Sequence, residues 1–151
     1  KSLKELVILE NPKVVMFTSY ITHVNVIKDY SDIVKEVNKK IITAVGGVHS
    51  EVIPEDFKHK NIDYVLGKNG MQNVEILLKA IESKKTPKFK NDKIDKTYKL
   101  PMPDRNITAK YRKYYDYAYH VPCALLKTSF GCPYSCKFCF CVEITPNGVR
   151  C

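Results

Sequence analysis

Ile41-Ile42-Thr43-Ala44-Val45-Gly46-Gly47 is an unbroken apolar run closed by two glycines. A run of this length with no polar alternation reads as a strand buried on both faces, the habit of a parallel sheet. Upstream, Val14-Val15-Met16-Phe17-Thr18-Ser19 has the same character and ends in small polar residues. Downstream, Ile62-Asp63-Tyr64-Val65-Leu66-Gly67 reads as a third, shorter strand. Between the first two, apolar positions Val26, Ile27, Tyr30, Ile33, Val34 and Val37 recur at i, i+3 and i+4, predicting a helix from about Val24 to Asn38. Lys39 and Lys40 follow it and suit the negative helix terminus.

The same reading extends to both sides. Ser2 to Leu9 predicts a helix with Leu3, Leu6 and Val7 apolar. Pro54-Glu55-Asp56-Phe57 opens a short helix with acids in its first turn. Gln72 to Ser83 predicts a helix whose core stripe is Val74, Leu77, Leu78 and Ile81. Alternating helices and strands predict an α/β fold, a doubly wound, Rossmann-like parallel sheet with helices on both faces. Ligands of such sheets sit at the carboxyl ends of the strands. Those ends are Ser19-Tyr20-Ile21-Thr22, Gly46-Gly47-Val48-His49-Ser50 and Gly67-Lys68-Asn69-Gly70. All three are small, polar or glycine-rich, which ordinary βα-loop chemistry also requires.

Regular patterning stops after Lys84. Lys84 to Lys99 is charged and reads as an exposed connector. A patch of Tyr111, Tyr114, Tyr115, Tyr117 and Tyr119 follows, suited to packing a linker against a partner domain. Ala124 to Ser129 then predicts another strand.

The loop after it reads Gly131-Cys132-Pro133-Tyr134-Ser135-Cys136-Lys137-Phe138-Cys139, a C-x3-C-x2-C pattern with an aromatic before the last cysteine. Three thiolates this close suit three irons of a [4Fe–4S] cluster and leave a fourth iron open to a substrate. Two other readings stand beside it. One is a zinc site, although Cys136 and Cys139 form one knuckle and no second follows. The other is a disulfide framework, but the six cysteines run only from Cys123 to Cys151, behind a cysteine-free α/β stretch. Cys123, Cys141 and Cys151 lie outside the motif and read as thiols without a role.

The 151-residue chain is 44% hydrophobic and 27% charged, an ordinary globular balance. Its net charge of +9 comes largely from scattered lysines, including Lys35, Lys39 and Lys40, then Lys84, Lys85, Lys88 and Lys90. With little arginine and no recognition helix, that charge describes a solvated surface better than a nucleic-acid site. No apolar span of transmembrane length is present.

Taken together, the chain resembles cobalamin-dependent radical S-adenosylmethionine (radical SAM) proteins. Ser19-Tyr20-Ile21 followed by Gly46-Gly47-Val48-His49 resembles the loops of a B12-binding domain. Asp63 to Gly67 resembles the later strand of that domain, and this chain has Gly67-Lys68-Asn69-Gly70 where the family has Gly-Glu-Gly-Glu. Pro103-Asp104-Arg105 resembles the family's linker, and the cysteine motif resembles the radical SAM signature.

The resemblance implies a partial cobalamin-binding domain over residues 1–85, a linker over 86–122, and the start of a radical SAM (β/α) barrel over 123–151. It implies cobalamin contacts at Ser19, Tyr20, Ile21, Thr22, Gly46, Gly47, Val48, His49 and Gly67, and cluster ligation by Cys132, Cys136 and Cys139. His23 and His49 lie in tail-side loops and are poor substitutes for a cobalt ligand. The family's reaction is reductive cleavage of S-adenosylmethionine at a [4Fe–4S] cluster, driving radical methyl transfer or oxidative cyclisation. Its relatives include methyltransferases and Mg-protoporphyrin ester cyclases. A small-molecule substrate, an electron donor such as flavodoxin or ferredoxin, and an oxygen-poor cytoplasm are implied with it; nucleic acid is not. A full barrel takes roughly 200 residues, so the chain is expected to be a fragment of a longer enzyme and inactive by itself. The alternative is a non-enzymatic α/β ligand-binding module with a zinc-stabilised cysteine tail.

Overall fold

The computed structural model describes residues 2–91, 99, 101–115, 117, 119–120, 123–124, 126 and 131–144. The chain divides into two compact units, Lys1–Tyr98 and Lys99–Cys151.

The first unit opens with helix α1, Leu3–Glu10. Ser2 caps it reciprocally: its hydroxyl accepts from the Glu5 amide at 3.3 Å, and the Glu5 carboxylate accepts from the Ser2 amide at 3.0 Å. Asn11 ends the helix in the left-handed region, where its short side chain is tolerated. Strand β1 is Val14–Thr18, helix α2 is Val24–Val37, and strand β2 is Ile42–Gly46. Strand β3 is Tyr64–Val65 and helix α4 is Gly70–Glu82. All strands are parallel in the order β1-β2-β3, with Val14 opposite Ile42, Thr18 opposite Gly46, and Val45 opposite Val65. This is the expected α/β, Rossmann-like arrangement.

The central strand explains why the apolar run is unbroken. Val45 packs with Ile27 of α2 and with Phe57, whereas its neighbour Ala44 packs with Leu66 and with Leu77 of α4. Successive residues point to opposite faces, so both faces need apolar groups and both carry helices. A third cluster of Val7, Val34 and Ile41 seats α1 against α2 and the start of β2.

Three expectations change. β3 is shorter than the run Ile62–Gly67, because Asp63 uses its side chain as well as its backbone on β2. Its carboxylate accepts from the Thr43 amide at 2.8 Å and from Lys35 Nζ at 2.5 Å, while its own amide donates to Thr43 O at 3.0 Å. The stretch after Gly47 is a short helix, α3, Val48–Val52, where the sequence reads as loop. Five residues are too few for an apolar period, and the cap is glycine rather than a side-chain oxygen. The expected connector is not free at its start: the Phe89 ring stands edge-on to Tyr64 at 5.6 Å and packs on the Ala44–Leu66–Leu77 cluster.

In the second unit a 3-10 helix spans Ala109–Tyr114 and helix α5 spans Cys141–Ile144. Tyr111, Tyr114, Tyr115, Tyr117 and Tyr119 are exposed, with Lys110 and Lys113 ammonium groups lying over the rings of Tyr111 and Tyr114. Every buried apolar residue among those described lies in the first unit. The strand expected at 124–129 falls largely outside the described residues, as does Cys151. No helix among the described residues is long and apolar enough to cross a membrane.

Candidate functional site

Parallel strands bring their carboxyl ends to one side, so the three loops named from the sequence emerge together. Ser19 laces the first two. It is fully buried. Its amide and its hydroxyl both donate to Gly46 O at 2.8 Å, and its hydroxyl accepts from the Ser50 amide at 3.1 Å. The His49 amide donates to Ser19 O at 3.2 Å. Ser50 then reaches the third strand end: its hydroxyl lies 2.9 Å from Gly47 O and 3.3 Å from Leu66 O, sharing one proton between them. Two buried serines, 31 positions apart, thus tie all three strand ends together.

Gly47 is required by this lacing. Its φ of 101° and ψ of −179° lie in a region essentially reserved for glycine. A Cβ there would sit 2.6 Å from Ser19 N, 2.8 Å from Thr18 Oγ1 and 3.0 Å from Ser19 O. The space freed by the missing side chain is therefore filled by the end of β1. Gly46 is different, since a Cβ there would meet Leu66 at an ordinary 3.7 Å.

His49 is also occupied inside the fold. It is buried, its Nε2 lies 2.7 Å from Asp56 Oδ2, and its ring meets Phe57 edge-on at 5.7 Å. Val48 is half-buried. What this edge presents to solvent is the other half of the first loop. Ile21 is 71% exposed and Tyr20 56% exposed, with Thr22 and His23 exposed beside them; the His23 ring braces Tyr20 edge-on at 5.6 Å. In the third loop Gly67 is half-buried next to Asn91, and a Cβ on Gly70 would meet nothing within 4 Å.

One ionisable group at this edge is perturbed. Burial pushes the Glu51 carboxyl above the ordinary glutamate range, and Lys68 opposes that shift through its charge. A raised folded-state value means that the proton-linked stability is present in acid, below the unfolded value of about 4.3. It is lost as pH rises through the folded value, leaving a half-buried carboxylate at neutral pH. Glu51→Gln is therefore expected to raise the urea midpoint at pH 7 and to leave it unchanged near pH 3.5. Equal midpoints at pH 7 would show that Lys68 fully compensates the burial.

The cysteine loop lies in the second unit. Cys132 and Cys139 are half-buried, Cys136 is exposed, and none of them is in a disulfide. The Cys139 amide donates to Cys136 O at 3.0 Å, closing a tight turn, and Gly131 enters the loop at a φ of 95°. Among the described residues no group of three or more His, Cys, Asp and Glu side chains is close enough to hold a metal ion. The three thiols are adjacent in sequence without converging in space.

Sequence reasoning named Ser50 only as the end of the Gly46–Ser50 loop, without its role of tying the strand ends, and passed over Glu51 and the Asn73–Asn91 pair. Their partners lie far away along the chain, and no local pattern marks them.

Comparison with known proteins places this geometry. The B12-binding domain family matches residues 1–77, the stretch that carries the three strands found among the described residues and more than half of α4. No curated protein and no solved structure matches the chain. The match covers just over half of the sequence and contains both serine-laced loops, so the chain belongs to the B12-binding domain family.

Proposed function

We propose that the carboxyl edge of the sheet holds the tail of a cobalamin, and that the chain serves a cobalamin-dependent radical SAM enzyme. The observation that carries the first part is the family match over residues 1–77, in which the loops at Ser19 and Gly46 leave one end of one sheet, tied by Ser19. The exposed edge fits such a ligand. Tyr20 and Ile21 offer an aromatic and an aliphatic surface, and Thr22 offers a hydroxyl. The backbone at Gly46, Gly47 and Val48 forms the adjoining wall, and half-buried Gly67 the far one. Ser19 and His49 act from behind, by holding the loops in place.

Cobalamin, when bound, supplies an alkyl-group carrier; the chain's own residues bind its tail and keep water from it. The radical SAM part rests on the spacing of Cys132, Cys136 and Cys139, which supports ligation of a [4Fe–4S] cluster that takes S-adenosylmethionine. Because those thiols do not converge among the described residues, no reaction step is assigned to them. A small-molecule substrate and a one-electron donor complete the proposal.

Equilibrium dialysis of the full chain against hydroxocobalamin tests the first part. Tyr20→Ala removes an exposed ring and should leave the fold intact while weakening binding about three- to tenfold, the worth of one aromatic contact. No uptake by the parent chain would refute the cobalamin reading. Anaerobic reconstitution with iron and sulfide tests the second part. Replacing Cys132, Cys136 or Cys139 by Ala should remove most bound iron and acid-labile sulfide, whereas Cys151→Ala should not. Bound zinc without sulfide would favour the alternative, a ligand-binding module with a metal-stabilised tail.

A further inference from the structure

The third loop of the edge is held by something the sequence reads as free connector. Asn73, on the first turns of α4, is fully buried. Both ends of its amide group are bonded. Nδ2 donates to Lys68 O at 2.7 Å and to Asn91 Oδ1 at 2.8 Å, and Oδ1 accepts from the Lys90 amide at 2.9 Å. Asn69 Nδ2 donates to Lys90 O at 2.7 Å. Two asparagines on one side thus hold both backbone groups of Lys90. The Asn91 amide lies over Gly67, within 3.6 Å of where a Cβ would stand.

The chemistry of this arrangement is specific. Asparagine is a poor helix former, and burying an amide is costly unless every group is bonded. An apolar residue at position 73 would fill the same space without that cost. What an amide adds is recognition of backbone: Asn73 binds the loop through Lys68 O and the connector through Lys90 N. Asn69, in turn, sits in the left-handed region at a φ of 60°, which asparagine tolerates, and its side chain reaches Lys90 O from there.

We infer that Asn73 and Asn91 are positioning residues, which clasp the connector at Phe89–Asn91 onto the Gly67–Gly70 loop and so fix that loop's backbone at the cobalamin edge. This rests on the cobalamin reading for what the loop serves, while the clasp itself has a readout that needs no cofactor. The connector becomes a structural part of the edge: pulling it away loosens the third loop and leaves the first two tied by Ser19 and Ser50.

The test uses the full chain and three forms of position 91, which is exposed. Asn91→Ala removes the acceptor for Asn73 Nδ2. Asn91→Asp keeps a carbonyl-type oxygen in its place. Amide hydrogen exchange at Lys90 and Asn73 is followed by mass spectrometry or NMR, with the urea midpoint and hydroxocobalamin affinity measured alongside. Asn91→Ala is expected to speed exchange at those amides about three- to tenfold, the worth of one net hydrogen bond. The urea midpoint should change little, affinity should fall by a similar factor, and Asn91→Asp should restore both exchange and affinity. Unchanged exchange at Lys90 and Asn73 in Asn91→Ala would overturn the clasp. So would an Asn91→Asp variant as impaired as alanine, or a rise in exchange spread evenly over α2 and α4, which would mark a general loss of stability. If the parent chain takes up no cobalamin, the functional reading falls, and the clasp is still decided by the exchange rates.

Discussion

Gly47→Ala is expected to destabilise the chain by about 2–6 kcal/mol, combining a glycine-only backbone conformation with overpacking. Two independent features produce this. The backbone conformation, φ 101° with ψ −179°, is one that residues with a Cβ avoid. The added carbon would also stand 2.6 Å from Ser19 N, a backbone atom that cannot swing aside as the end of a long side chain would. Relief would require separating β1 from the start of α3, and the hydrogen bonds from Ser50 and His49 to Ser19 would go with it. Against a total stability of roughly 0.05–0.15 kcal/mol per residue, the loss is a substantial fraction of the whole. Gly46→Ala is the control, because its Cβ meets only Leu66 at 3.7 Å; it should cost no more than about 1 kcal/mol. Urea unfolding of both variants checks the prediction. Equal midpoints for Gly47→Ala and the parent would show that β1 and α3 separate without penalty. The result also governs how cofactor binding is probed: a Gly47 variant that fails to bind cobalamin reports a disturbed β1–α3 junction rather than a lost contact, which is why the binding test uses Tyr20.

Leu77→Ala is expected to cost about 3–5 kcal/mol, toward the upper part of the range for buried leucine truncation. Leu77 is fully buried between α4 and the sheet, against Ala44 and Leu66. The size of the loss depends on whether the surroundings collapse into the cavity. Ala44 has only a methyl group and sits on the central strand, fixed by partners on both edges, so it cannot fill the space. Leu78, the next residue, faces outward at 41% exposure, and Leu78→Ala should cost less than about 1 kcal/mol. Thermal unfolding followed by circular dichroism compares the two. A Leu77→Ala loss below about 1 kcal/mol would mean that α4 settles onto the sheet. Because α4 carries Asn73, a shift of that helix would also move the third loop, coupling core packing to the proposed cofactor edge.

The parts of this protein that follow a local period were legible from the chain alone. The unbroken apolar run at 41–47 reported two-sided burial, whereas the run at 14–19 reported a strand but not its burial, since Met16 and Thr18 of β1 are exposed. The i, i+3, i+4 pattern reported α2 and α4 within a residue or two of their ends. The resemblance of Ser19-Tyr20-Ile21 and Gly46-Gly47 to B12-binding loops agrees with the family match. These readings worked because strand and helix burial write themselves into neighbouring residues at fixed spacing.

What each loop residue does was decided by tertiary structure. Gly47 looks like a glycine that makes room for a ligand, yet its room is taken by β1, a fact that depends on a contact 28 positions away in sequence. Ser19 and His49 look like polar loop residues available to a cofactor, yet both are buried and bonded within the fold, Ser19 to Gly46 and Ser50, His49 to Asp56. Lys84 onward looks like connector because charge predicts solvent, yet Asn73 and Tyr64 bind Phe89 to Asn91 within its first half. The cysteines mark a motif by spacing, but convergence of three thiols is a property of a folded loop and not of their order. Hydrogen bonds and steric exclusion between distant residues leave no period in the sequence. They come into being only when the parallel sheet lays the ends of its strands side by side.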